Sequence, residues 1–99
     1  MKYFLCKLVP PRPTFPSDMS EDERSILRRH VTYWTSLMER GQVVLYGPVA
    51  DPSGGWGVGI VEVEQRAQVE ALTHNDPAIQ ASAGFRYDVF EMPQLMWAR

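Results

Sequence analysis

Few side chains in this 99-residue chain can carry chemistry, since it contains two histidines and a single cysteine. His30 stands four residues after Ile26 and four before Trp34, so on a helix it shares their apolar face. A histidine that points inward from a helix is partly desolvated, and its protonation state then depends on a nearby partner. The position suits either a general acid–base group or a histidine bonded to a backbone carbonyl. Position alone favours the second, structural role.

Asp76, His74 and Cys6 are the other candidates for chemistry, and each has a local explanation. Asp76 precedes Pro77, the usual arrangement at a helix start, so its carboxylate caps a helix whether or not it also takes part in a reaction. His74 falls at the end of a predicted helix, where a cation suits the dipole, and is predicted to lie at the surface. Cys6 lies within a predicted strand and is expected to pack in the core rather than act as a nucleophile.

Composition and spacing argue against several other kinds of site. There is no Cys/His cluster with zinc-ligand spacing, no phosphate-binding loop and no nucleophile elbow, so no metal and no cofactor are expected. Ten basic and twelve acidic residues give a net charge of −2, which provides no positive field for nucleic acid. A lone cysteine and the lack of an apolar run of ~18 residues predict a cytoplasmic protein that does not enter a membrane.

Hydrophobic patterning and turn residues predict one domain over residues 1–99, in the order β-α-β-β-α-β. The strands are predicted at 2–9, 42–49, 56–64 and 85–92, and the helices at 21–40 and 65–74, with a short helix after Asp76. Ser20 and Glu23 form a capping box before the first helix, and Gly41 ends it. The second helix is expected to pack through Ala67, Ala71 and Leu72. This order is typical of a ferredoxin-like α+β fold, with a four-stranded antiparallel sheet and helices on one face.

Two irregular segments stand out within this framework. Residues 10–19 are rich in proline and predict an ordered loop, longer than most connections, which is either functional or a rigid spacer. Gly57 and Gly59 leave one face of the third strand bare. Such glycines either allow a backbone or ligand to approach closely or mark a bulge, and the sequence leaves both readings open.

The predicted sheet is apolar on both sides, although the helices cover only one. Four residues cannot all find room under two helices: Tyr46, Trp56, Val89 and Phe90. The C-terminal tail, residues 93–99, adds the apolar side chains Leu95, Met96 and Trp97. A monomer would expose a larger apolar patch than soluble monomers usually do. We therefore predict a homodimer with two-fold symmetry, packed sheet to sheet.

A series of short motifs resembles the YCII-related (YciI-like) family over nearly the whole chain. The series is His30 and the helix end WTSLMERG, then VLYGP at 44–48, then Asn75-Asp76-Pro77 and finally Ala83-Gly84. The resemblance implies a ferredoxin-like dimer of the α/β-barrel type, with a pocket that brings a histidine and an aspartate together. These carry over to His30 and Asp76. The family's proposed chemistry is acid–base, and one relative eliminates chloride from a hydroxylated ring. The loop 10–19 is longer than we expect in the shorter members of the family.

Given this resemblance, His30 becomes the favoured catalytic residue, with Asp76 both capping its helix and orienting the imidazole. A carboxylate bonded to one imidazole nitrogen fixes the tautomer and leaves the other nitrogen to move a proton. Flat walls for a substrate are expected from four aromatic residues: Trp34, Tyr46, Trp56 and Phe85. Either Arg12 or Arg86 is expected to hold an anionic oxygen.

Three functions are compatible with these residues. The first is a small cofactor-independent enzyme, a lyase or isomerase, acting on a polar-aromatic or enol-type metabolite. The second is a non-catalytic dimer that binds a small molecule or a partner. The third is a cofactor-free oxygenase of the dimeric α+β barrel type, suggested by fold analogy alone. Contact between His30 and Asp76 beside an open pocket favours the enzyme, whereas an Asp76 engaged only with its own helix favours the binder.

Overall fold

The structure of the protein is a computed structural model that describes residues 1–98, so the last residue of the predicted tail 93–99 lies outside the described part. Its elements are β1 (Lys2–Val9), α1 (Glu21–Glu39), β2 (Val43–Val49), β3 (Trp56–Val63), α2 (Arg66–His74), α3 (Pro77–Gln80) and β4 (Arg86–Met92). The strands form one sheet in the order β2-β3-β1-β4, and all neighbours are antiparallel. This confirms the predicted ferredoxin-like α+β fold.

The helix α1 begins and ends where its capping residues predict. The Ser20 hydroxyl accepts from the Glu23 N–H at 3.1 Å, and a Glu23 carboxylate oxygen accepts from the Ser20 N–H at 2.9 Å. At the other end Gly41 adopts a positive φ of 79°, which glycine tolerates best. Between these two ends the apolar stripe of α1 meets the sheet and buries Ile26, Trp34 and Leu37.

The helix α2 packs through Leu72, as predicted, but not through the two predicted alanines. Ala67 and Ala71 are exposed, whereas Val69, Leu72 and Thr73 are buried. The larger apolar side chains at the i and i+3 positions decide the orientation, because each buries more surface than an alanine does. Within residues 1–98, no helix combines the length and the apolarity needed to cross a membrane.

The two faces of the sheet have different neighbours. The face under the helices bears the main core, whose strand residues are Phe4, Cys6, Val43, Val61 and Val63. Tyr46 and Val89 also pack against this core, whereas Phe90 is 54% exposed, so the four residues do not all find room under the helices, as predicted. On the open face the strand register aligns one apolar row across all four strands: Leu45, Ile60, Leu5 and Phe90.

The bare face of β3 does not mark a bulge. Gly57 and Gly59 pair regularly with β1, and the register shift of the sheet lies instead in β2, between Val43 and Leu45. The group that lies against Gly59 is the indole of Trp34. The glycine therefore makes room for a core side chain.

Candidate active site

A cavity of about 840 Å³ opens between α1, the loop 10–19 and the turn that joins β2 to β3. This volume lies within the range of small-molecule sites, roughly 300–1,000 Å³. Most of the lining residues are apolar or glycine. The polar side chains in the lining are Thr14, Ser17, His30, Tyr46, Asp51, Ser53 and Tyr87.

Asp76 is placed by the short helix that it caps. Its backbone is extended, and its Oδ1 atom accepts from the N–H of Ala78 at 2.8 Å, with Pro77 in the first helical position. The residue is completely buried, at 0% exposure. Because capping occupies Oδ1, the second oxygen, Oδ2, is directed toward the other side chains of the core.

His30 meets this second oxygen. Its Nδ1 atom lies 2.8 Å from Oδ2 of Asp76, and its side chain, 14% exposed, also lines the cavity. Since an ionised carboxylate can only accept, Nδ1 carries the proton and donates. Within residues 1–98 no hydrogen bond is found on Nε2 of His30. In this tautomer Nε2 therefore keeps its lone pair and is able to take up a proton.

Two more side chains donate to the same oxygen. The indole N–H of Trp34 lies 2.8 Å from Oδ2, and the hydroxyl of Tyr87 also donates to it. The Trp34 nitrogen is in addition 3.0 Å from the Tyr87 oxygen. Trp34 lines the cavity as predicted for a wall residue, but its polar atom belongs to the Asp76 network. The sequence prediction missed Tyr87, since an alternating strand tyrosine carries no local sign of such a role.

The surroundings keep these groups in defined protonation states. Burial raises the pKa of Asp76, but the hydrogen bond and charge of His30, with the bonds from Tyr87 and Ala78, outweigh it and lower the pKa below its ordinary value. Burial, followed by the charge of Asp76, raises the pKa of Tyr87. Asp76 is therefore an anion at neutral pH and Tyr87 a neutral donor. Burial likewise raises the pKa of the Cys6 thiol to about 12, which suits its predicted packing role.

The remaining aromatic candidates lie around the cavity. Tyr46, Trp56 and Phe85 are all in its lining. The Trp56 N–H donates to Asp51 at 3.1 Å, and the Phe85 ring meets Phe15 edge to face, with 5.6 Å between ring centroids. These contacts hold the rings in place, so the cavity has rigid walls.

The structure does not bring the two candidate arginines to the cavity. The loop 10–19 folds back onto the start of α1, where both terminal nitrogens of Arg12 bind Glu23 at 2.7 Å, and its Nε lies 2.9 Å from Asp18. Arg86 is 65% exposed and lies 3.6 Å from Asp88. A guanidinium group pairs well with a planar carboxylate, and Arg12 and Arg86 each pair with a nearby acidic residue instead of reaching the cavity.

The second histidine of the chain does not line the cavity. His74 is exposed as the last residue of α2. In the part of the chain from 1 to 98, no three His, Cys, Asp or Glu residues are grouped so that they could hold a metal ion.

Comparison with known proteins gives a family and a fold. The family model of the YCII-related domain matches residues 1–93. No curated protein matches the chain. Among solved structures, the fold is similar to that of 5-chloro-2-hydroxyhydroquinone dehydrochlorinase (TftG) from Burkholderia phenoliruptrix AC1100, in complex with 2,5-dihydroxybenzoquinone. The TM-score is 0.65 and the identity 17%, and the match covers 91% of each chain. At this identity the likeness shows a shared fold.

Proposed function

The chain belongs to the YCII-related family, and we propose that it is a small cofactor-independent acid–base enzyme, a lyase or an isomerase. One observation carries the proposal: the Nδ1 atom of His30 lies 2.8 Å from the buried Asp76 carboxylate, on the wall of a large cavity. A buried, ionised carboxylate behind a histidine that lines a cavity favours a catalytic role over simple binding. Catalytic histidines are commonly oriented in this way.

His30 acts as the proton carrier in the proposed reaction. Its Nε2 atom takes a proton from a hydroxyl or an acidic carbon of the substrate, while Nδ1–H stays directed at Asp76. The imidazolium that forms is stabilised by the carboxylate, which itself stays ionised. The same proton then returns to a carbon in an isomerisation, or leaves with the departing group in an elimination.

The cavity walls indicate the kind of molecule that fits. Tyr46, Trp56 and Phe85 provide flat apolar surfaces, and Gly57 adds a stretch of bare strand. Flat surfaces of this kind suit a planar unsaturated ring. The TftG structure, which shares the fold, is a complex with 2,5-dihydroxybenzoquinone. We therefore propose hydroxylated aromatic or enol-type small molecules as substrates, with loss of a group such as chloride as one form of the reaction.

The open face of the sheet supports the homodimer as part of this proposal. Phe90 is 54% exposed and Leu45 44% exposed, at the two ends of the apolar row defined above. Met96 and Trp97 add exposed apolar surface beyond β4. Packing two sheets face to face would remove this row from water. Phe90→Glu should give a monomer in sedimentation analysis, whereas Arg29→Glu on the exposed side of α1 should not; a dimeric Phe90→Glu would refute the sheet-to-sheet arrangement.

Substitution of His30 tests the catalytic role. His30→Ala and His30→Gln should both abolish turnover of chlorinated or hydroxylated quinol substrates, while thermal unfolding stays cooperative. His30→Gln keeps a polar side chain of similar length, so it separates loss of the proton carrier from loss of packing. Turnover retained in either variant would exclude His30 as the acid–base group.

The same assays separate the two alternatives. A non-catalytic binder would bind such rings in a thermal-shift screen, with no turnover in the unmodified protein. A cofactor-free oxygenase would consume dissolved oxygen with quinol substrates, whereas a lyase or isomerase would not.

A further inference from the structure

Tyr87 is a donor to Asp76 that the proposed reaction does not use. It lies on β4 opposite Leu8 of β1, and this register places its ring beneath Trp34, with 6.2 Å between the ring centroids. The ring lines the cavity, yet its hydroxyl proton is given to Oδ2 of Asp76. Three side chains therefore share one carboxylate oxygen, and only one of them is the proposed proton carrier.

Sharing of this oxygen has a chemical consequence for His30. Each N–H or O–H given to a carboxylate stabilises its negative charge and weakens its attraction for other protons. With Tyr87 in place, Oδ2 draws the Nδ1 proton of His30 less strongly. Without it, the same charge would act on the two remaining donors, His30 and Trp34, and the imidazolium would hold its extra proton more tightly. A base that holds its proton too tightly returns it slowly to the product.

We propose that Tyr87 is a positioning residue of the acid–base pair: its hydroxyl fixes Oδ2 of Asp76 opposite His30 and moderates the pull of the carboxylate on the Nδ1 proton. This inference rests on the proposed function, since it assigns Tyr87 a part in the same reaction. The protonation behaviour that it predicts can nevertheless be measured without any substrate.

The other ionisable groups around His30 and Asp76 keep one protonation state between mild acid and neutral pH. From α1, Tyr33 faces Asp76, and burial raises its pKa; Arg40 in turn faces Tyr33. From β1, Cys6 faces Tyr87, and burial raises the pKa of the thiol to about 12. The helix α3, with the sequence PAIQ, contributes no ionisable side chain. A change in the His30 signal of a Tyr87 variant therefore does not come from these neighbouring groups.

Proton NMR titration of the two histidines in Tyr87→Phe tests the proposal. The midpoint of His30 should rise by about 0.5–1 pH unit, the equivalent of one hydrogen bond to the carboxylate. His74, exposed at the end of α2, is an internal control whose midpoint should not move. Tyr33→Phe is the matched variant, because it removes a tyrosine hydroxyl that donates to the Leu72 carbonyl at 2.6 Å and not to Asp76. A His30 midpoint that is unchanged or lower in Tyr87→Phe would overturn the proposal. That result is expected if the substitution only loosens the site and moves His30 away from Asp76.

A second substitution reverses the expected sign and covers the case in which Tyr87→Phe fails to fold. With 3-fluorotyrosine in place of Tyr87, the more acidic hydroxyl donates more strongly, and the His30 midpoint should fall. A rise, or no change, would contradict the assigned role. If the midpoints move as expected but His30→Gln keeps its turnover, the acid–base function fails while the role of Tyr87 in tuning His30 stands.

Discussion

The indole of Trp34 lies on the backbone of Gly59, in the space that a side chain at position 59 would fill. A Cβ atom added there would be 2.6 Å from Cη2 of the indole, closer than real Cβ atoms approach. Gly59 is paired with Cys6 of β1 on one side and Tyr46 of β2 on the other, so the strand has little freedom to move. Because Trp34 also donates to Asp76, this contact links the centre of the sheet to the candidate site.

Gly59→Ala should therefore disturb both stability and the site. Displacing a buried indole is overpacking, and we expect the free energy of unfolding to fall by about 1–3 kcal/mol in urea denaturation. The indole N–H resonance of Trp34 should shift as its bond to Asp76 lengthens. Gly57→Ala is the matched control, since its Cβ would lie 3.4 Å from Cβ of Leu8, an ordinary contact. Equal losses of stability in the two variants would contradict this account.

Asp76→Asn should lower turnover by at least about 100-fold. The amide keeps the shape of the carboxylate, but its NH₂ group cannot accept from His30, and its neutral oxygen stabilises an imidazolium poorly. Heteronuclear NMR of the His30 nitrogens should show that Nδ1 no longer carries the proton in a single tautomer. Asp88→Asn on β4, which alters an exposed carboxylate, serves as the control for expression and folding. Rates within a few-fold of the unmodified protein in Asp76→Asn would remove Asp76 from the mechanism.

Local signals in the sequence were sufficient where a single residue type decides the structure. The Ser20 capping box and Gly41 fix α1, and Asp76 before Pro77 fixes the start of α3. The alternation of side chains between the two faces predicted β1 with the bounds that the structure shows. One face of this strand is buried, and a buried face specifies the register strongly. The order of the elements then determined the sheet.

Residues whose roles depend on distant neighbours were harder to predict. Ala67 and Ala71 are too small to orient a nine-residue helix, so the packing of Val69 and Leu72 decided its face. Tyr87 looks like any core tyrosine until the register of β4 sets its hydroxyl beside Asp76. Arg12 is long enough to reach several acids, and only the path of the loop selects Glu23.

Arg12→Ala should loosen the loop that forms one side of the cavity. Arg12 binds Glu23 with both terminal nitrogens, and this bond, followed by the backbone bond from Ser20, lowers the pKa of Glu23 to about 2. Removing the guanidinium should raise the pKa of Glu23 toward its ordinary value and speed hydrogen exchange at the amides of Phe15 and Met19, which close turns within the loop. NMR measures both effects.

Arg24→Ala is the control for the loop experiment. Arg24 also lies near the start of α1 and faces an acid, Glu21, at 3.6 Å, and within residues 1–98 its side chain shows no hydrogen bond or ion pair to the loop. Exchange at the loop amides should stay unchanged in this variant. Equal exchange rates in Arg12→Ala and the unmodified protein would show that the turns and prolines of the loop hold it without the ion pair.

The pH dependence of stability offers a test of the ionised state of Asp76 that needs no substrate. Its pKa is lowered in the folded protein relative to the ordinary carboxyl value, so ionised Asp76 stabilises the fold above a pH of about 4. That stabilisation is lost as the pH falls through the lower, native pKa. Asp76→Asn should therefore be less stable than the unmodified protein at pH 7, by about 1.5–3 kcal/mol, a typical contribution of hydrogen bonds to a charged group. The difference should shrink progressively below pH ~4 in urea unfolding at a series of pH values. A difference that stays constant from pH 7 to the lowest pH at which the protein folds would mean that Asp76 is not held as an anion by His30, Trp34 and Tyr87.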